Sequence, residues 1–332
     1  KKIHWNSCKG LVMMVEKVLI AMPHGFCAGV ARAVKAVEDT LELFGAPIYV
    51  KHEIVHNKHV VENIAKRGAI TVETLAEVPV GSVVVFSAHG SPRSHYAEAA
   101  RRKLYLIDAT CPLVTKVHLE VVRYIKEGYA IIYIGHKDHI EGVGVLGEVP
   151  GINIPLVETV ADVDGLDVPM TEKMVYLTQT TLSIDETKDV IAALKRKYPS
   201  ITAPPLEDIC YATTNRQEAV KALAVVAPIV IVVGSKSSSN SNRLRETAER
   251  FGARAYLVDG VEDIRPEWFL ETDRVVGITG GASAPEDRIQ EVVEYFCNQG
   301  AVAEKFVVKE EKMFFAEPVE LMQARRERTT HV

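Results

Sequence analysis

Short runs of β-branched and aliphatic residues punctuate the chain, among them VLIAM (18–22), VVVF (83–86), AIIYI (130–134), MVYL (174–177), IVIVV (229–233) and VVGI (275–278). Each is too short for a helix and too uniformly apolar for a strand with one wet face, so each predicts a strand buried on both sides. Between the runs lie stretches with apolar residues three and four apart, which predict amphipathic helices. Strand alternating with helix implies βαβ units and parallel sheets covered by helices.

The alternation has a longer period. A predicted strand ends at a cysteine, and a helix begins immediately after it, at Cys27, Cys111 and Cys210, which stand 84 and 99 residues apart. After each come a strand, a polar loop, a helix, a second strand and a second polar loop. The period points to an α/β fold with three pseudo-repeated lobes, each a small parallel sheet flanked by helices; with the loop chemistry below, the expected arrangement sets them around a central metal-cluster site. One continuous doubly wound sheet is the competing arrangement. The expected segments are 1–13 as a leader or added extension, 14–110, 111–207 and 208–300 as the three lobes, and 301–332 as a polar tail with no core-forming pattern. Strand 15–22 is free to pair in the third lobe. In open parallel sheets ligands bind beyond the carboxyl ends of the strands, where these loops lie.

Composition narrows the class. The 332 residues are 47% hydrophobic and 25% charged, with net charge −5 and both signs interspersed. That excludes the concentrated basic footprint of a general nucleic-acid binder. No apolar run approaches membrane-spanning length. Five cysteines, widely spread, fit a reducing, cytoplasmic setting better than a disulfide scaffold.

The loops bring chemistry. A lone thiol at a strand end is usually a small buried hydrophobe, but three at matching positions are not easily explained that way. Three lobes around one axis would bring the thiols together as ligands of an iron–sulfur cluster with one iron left open. SKSSSNSN (235–242) and the loop around Ser283 offer hydroxyls, an amide and backbone N–H groups beside helix starts, a cradle for phosphate. His56, His89 and His139 fall in corresponding strand-end loops, whereas His52, His59, His95, His118 and His136 read as surface or local-structure residues. His139-Ile140-Glu141, taken as extended, turns His139 and Glu141 to one side, with Glu141 the candidate proton donor. Thr180 and Thr181 in TQTTLS could complete a hydroxyl network.

Together GFCAGV, EIVHN, FSAHG, DATCP, TQTT, EDICYATTNRQEAV, GSKSSSNSNRL and GASAP resemble the 4-hydroxy-3-methylbut-2-enyl diphosphate reductases of the non-mevalonate isoprenoid pathway, in order from about residue 15 to 296. The resemblance implies a [4Fe–4S] cluster on Cys27, Cys111 and Cys210, seen as [3Fe–4S] if the open iron is lost. It implies an allylic diphosphate whose hydroxyl binds that iron, held by His56, His89, Ser238, Ser239, Asn240 and Ser283 with His139 close by. Glu141 becomes the proton source beside Thr180 and Thr181, and a ferredoxin or flavodoxin the electron donor. His24, Ala31 and Ile140 depart from the family pattern at positions that are not ligands. Two other readings compete: a zinc hydrolase with three cysteine ligands, and a non-catalytic iron–sulfur sensor.

Overall fold

A computed structural model describes residues 15–329; the expected leader at 1–13, including Cys8, lies outside the described residues. The first described strand is β1 (Lys17–Met22). The first lobe holds β2 (Ile48–Lys51), β3 (Ala69–Val72), β4 (Val83–Phe86) and β5 (Tyr105–Asp108) in the order β3-β2-β4-β5. The second holds β6 (Ala130–Ile134), β7 (Leu156–Val157), β8 (Met174–Thr178) and β9 (Ile201–Thr202) as β7-β6-β8-β9. The third holds β10 (Ile229–Val233), β11 (Arg254–Val258), β12 (Val275–Gly280) and β13 (Val302–Val307) as β11-β10-β12-β1-β13. Every pairing is parallel.

The three orders coincide once β1 is set in the third sheet, because β1, β5 and β9 are then equivalent fourth strands. The first described strand thus closes the third lobe, and each fourth strand leads into a hinge cysteine. Burial follows the pattern of the runs. Val84, Val85 and Phe86, Ile132 and Tyr133, and all of β10 are buried, with helices supplying the other half of each core. Parallel strands with covered faces require this near-continuous apolar composition.

The far end of the chain corrects the expected tail. β13 pairs with β1 along all six of its residues, although five of its side chains are exposed and the sixth is half-buried. Backbone pairing at an edge needs no apolar pattern, which is why these residues carry no core signal. Beyond it, the helix Val319–Thr329 sets fully buried Leu321 into the first lobe's core. Residues 302–329 therefore run from the third lobe to the first.

Candidate functional site

Three helices begin at the hinge thiols: Ala28–Phe44, Pro112–Lys126 and Tyr211–Val226. Cys27 Sγ accepts from Val30 N–H at 3.5 Å, and Cys210 Sγ from Thr213 N–H at 3.4 Å. Cys111 makes no such cap bond and is followed by proline at the first helical position. The positive helix ends face the thiols and favour thiolate, the ligand form of cysteine.

All three thiols line one central cavity of about 690 Å³, a volume that includes space open to solvent. Burial pushes the Cys111 thiol up to about 12 and Cys210 to about 11, and the neighbouring Cys27 charge adds to both. A cationic metal centre would offset both penalties. Gly29 leaves the room this needs, since a Cβ there would stand 2.5 Å from Cys111 Sγ. The donor set fits a larger group that spans three soft thiolates. Cys297, at the end of the helix Glu286–Cys297, packs at the third lobe's core and does not line the cavity.

A histidine cluster forms a second part of the wall. The His56 and His89 rings stack at 4.1 Å, and His139 stands edge-on at 5.6 and 6.4 Å from them. Burial lowers His139 to about 4 and holds His89 well below the usual imidazole value, with the other histidines adding repulsion. His139 Nδ1 accepts from Glu141 N–H at 3.2 Å, which leaves the ring proton on Nε2. That Nε2 is buried without a protein partner. A buried donor left open in a cavity wall calls for an acceptor from a ligand.

The hydroxyl-rich loops complete this end. Ser238 caps the helix Ser239–Arg250, which starts earlier than the sequence suggested and draws Ser239 and Asn240 into its first turn. Asn240 Oδ1 accepts from Ala282 N–H at 2.8 Å, and Ser283 Oγ donates to the His56 carbonyl at 3.0 Å. Thr181 Oγ1 donates to Ser239 Oγ at 3.2 Å. Loops from all three lobes are thereby tied together around a helix N-terminus.

Glu141 corrects one local expectation. The segment is not extended: His139 caps a helix, Ile140–Leu146, and Glu141 stands in its first turn. Both side chains still line the cavity, so period-two spacing is not what brings them together. Glu141 is 2% exposed, and its two oxygens accept from Thr180 N–H at 2.7 Å and Thr180 Oγ1 at 2.9 Å. Burial raises its carboxyl to about 7 against the lowering effect of those bonds. It can therefore carry a proton near neutrality.

Every sequence-predicted site residue lines this cavity. Val30, Val55, Ala88, Leu113 and Val114 add an apolar wall not expected from the sequence, and Thr213, whose Oγ1 lies 3.2 Å from Cys210 Sγ, also lines the cavity. Their position beside the motif residues was the available signal. His118, expected as a surface or local-structure residue, is the latter: it is 7% exposed, with Nδ1 bonded to Glu148 at 2.8 Å and Nε2 unpartnered, and it does not line the cavity. Departing residue His24 bonds to the Ala21 carbonyl and Glu286 and does not line the cavity.

The fold and site define a three-lobed α/β protein with a thiol-, carboxyl- and hydroxyl-lined central cavity. Residues 18–297 match the family described as LytB protein, and the chain belongs to that family. It is 54% identical over 286 residues to the 4-hydroxy-3-methylbut-2-enyl diphosphate reductase of Aromatoleum aromaticum, covering 86% of this chain and 91% of the relative. The same-named protein of Sodalis glossinidius is 50% identical, with 92% and 97% covered. Among solved structures, the E-1-hydroxy-2-methyl-but-2-enyl-4-diphosphate reductase of Plasmodium falciparum superposes with a TM-score of 0.91 at 40% identity, covering 95% of this chain and 99% of that one. A second, titled as the terminal enzyme of the non-mevalonate pathway, gives 0.61 at 31%, with 86% and 100% covered.

Proposed function

We propose that the central cavity reductively dehydroxylates 4-hydroxy-3-methylbut-2-enyl diphosphate to isopentenyl and dimethylallyl diphosphate. Two electrons and two protons enter, the C–O bond of the allylic alcohol breaks, and its oxygen leaves as water. The observation that carries this reading is one cavity combining three hinge thiols, a carboxyl near pKa 7 and a histidine–hydroxyl cradle. The names of relatives spanning most of the chain support it.

Cys27, Cys111 and Cys210 would hold a [4Fe–4S] cluster, which supplies electrons and Lewis acidity at an iron without a protein ligand. Ser238, Ser239, Asn240 and Ser283 offer hydrogen-bond donors to the diphosphate at the start of the 239–250 helix. His139 Nε2–H, with His56 and His89, faces the same anion. The apolar wall of Val30, Val55, Leu113 and Val114 suits the five-carbon chain and limits water. Glu141 donates a proton to the departing hydroxyl, and Thr180 holds its carboxyl in place through two bonds. The electron donor is a small redox protein, ferredoxin or flavodoxin, in a reducing cytoplasm that keeps the thiols available as ligands. No helix among the described residues is long and apolar enough to cross a membrane.

Anaerobic turnover of the reconstituted protein with a chemical reductant tests the reading. Formation of both five-carbon diphosphates at the expense of the alcohol is expected. Release of inorganic phosphate without reduction would favour a hydrolase instead, and binding without turnover a sensor.

A further inference from the structure

Each hinge helix carries one long cation shortly after its cysteine: Arg32, Lys116 and Arg216, at the fifth, fifth and sixth positions beyond Cys27, Cys111 and Cys210. None lines the cavity. Each reaches instead to the segment preceding the next cysteine. Arg32 Nη1 donates to the Thr110 carbonyl at 2.9 Å and Nη2 to that of Asp108 at 3.5 Å, ahead of Cys111. Lys116 Nζ donates to the Leu206 carbonyl at 2.7 Å, to that of Glu207 at 3.3 Å and to Asp208 Oδ1 at 2.7 Å, ahead of Cys210. Arg216 closes the circle, with Nη2 and Nε donating to the Gly25 carbonyl at 2.8 and 3.2 Å, ahead of Cys27.

We propose that Arg32, Lys116 and Arg216 form a cyclic set of positioning residues, each fixing the backbone that presents the next lobe's thiol, so that three separate hinges hold one ligand set in register. Carbonyl groups at a strand end that no longer pair within a sheet need donors, and a charged donor binds them more strongly than a neutral one. The helix carrying one thiol is thereby coupled to the hinge carrying the next. The 302–329 segment locks two members from behind. Ala316 accepts from Arg32 Nε at 2.7 Å, and Glu311 pairs with fully buried Arg216 at 3.0 Å. Both partners lie beyond residue 297, where the family match ends.

The proposal rests on the cysteines being ligands, and its test is made on metal-free protein so that the two ideas fail separately. The full chain is alkylated with iodoacetamide under reducing conditions, and each cysteine's rate is followed by peptide mass analysis. Lys116→Met should accelerate Cys210, and Arg32→Met should accelerate Cys111, each by at least roughly tenfold, the effect of losing even one of the charge-assisted hydrogen bonds each cation makes. Cys297 and the remaining hinge thiol should keep their wild-type rates. Arg216 is wholly buried, so the milder Arg216→Lys is used to look for acceleration at Cys27. Glu304→Gln, which breaks only the exposed Lys17–Glu304 pair, should change no rate. In reconstituted protein the Lys116 and Arg32 variants should also release iron to a chelator faster than wild type. Equal acceleration of every cysteine, or no acceleration at the next hinge in either Met variant, would overturn the proposal. Wild-type protein that takes up no iron would instead overturn the ligand assignment.

Discussion

Replacing Glu141 by glutamine separates the proton from the shape of the group that delivers it. The carboxyl is 2% exposed and both its oxygens face Thr180. Glutamine can keep the bond from Thr180 N–H, and the Thr180 hydroxyl can rotate to accept from the new amide. Raising the carboxyl from 4.5 to about 7 costs the folded, ionised form roughly 3 kcal/mol. The sign follows from a folded pKa above the unfolded one. The wild-type chain is unpenalised below about pH 4.5 and loses stability as pH rises towards 7. Glu141→Gln, which cannot ionise, should escape that loss. In denaturant unfolding of metal-free protein it should match wild type near pH 4.5 and exceed it by up to about 3 kcal/mol at pH 8. Turnover of the reconstituted variant should fall by roughly two to four orders of magnitude, the usual span of a general-acid contribution. Wild-type turnover should itself decline as pH rises through 7. A stability difference that does not vary with pH, together with near-wild-type turnover, would refute the assignment of a buried, protonated Glu141.

Imidazoles held neutral by burial should gain protons when an anion binds beside them, so calorimetric affinity for inorganic diphosphate should weaken from pH 6 to 8, with proton uptake on binding; a pH-independent affinity would contradict this. Asn240→Ala breaks the bond that ties the 239–250 helix to Ala282 and should weaken diphosphate binding by about 1.5–3 kcal/mol while leaving the cluster's visible spectrum unchanged. Leu321→Ala removes a fully buried side chain and should destabilise the fold by about 2–5 kcal/mol; thermal unfolding indistinguishable from wild type would mean the C-terminal helix does not dock.

The strands were legible because burial on both faces requires runs such as IVIVV, and the thiols because each falls where an apolar run gives way to a helix. The site residues are spread over nine strand ends in three equivalent sets: Cys27, Cys111 and Cys210; His56, Glu141 and Asn240; His89, Thr180 and Ser283. That equivalence is why motif position pointed to one cavity. Other features left little trace. β13 is held by backbone bonds at an edge, and among the described side chains of the 319–329 helix Leu321 and Ala324 are the buried ones. IEGVGVL contains two glycines, poor helix formers, yet packs as a helix, with Gly144 against His118. Arg32, Lys116 and Arg216 were visible in sequence but unremarkable there, because the hinge groups they bind are mostly backbone carbonyls, which carry no sequence signature.

The central claim is that three hinge thiols together bind an iron–sulfur group at which the substrate is reduced. Its most direct measurement is iron, acid-labile sulfide and zinc in anaerobically reconstituted wild-type protein and in Cys111→Ser, with the visible spectrum of each. The account predicts iron and sulfide in the one-to-one ratio of a [4Fe–4S] cluster, a brown protein and loss of both in the variant. Stoichiometric zinc without sulfide in the wild type, or full iron and sulfide in Cys111→Ser, would contradict it.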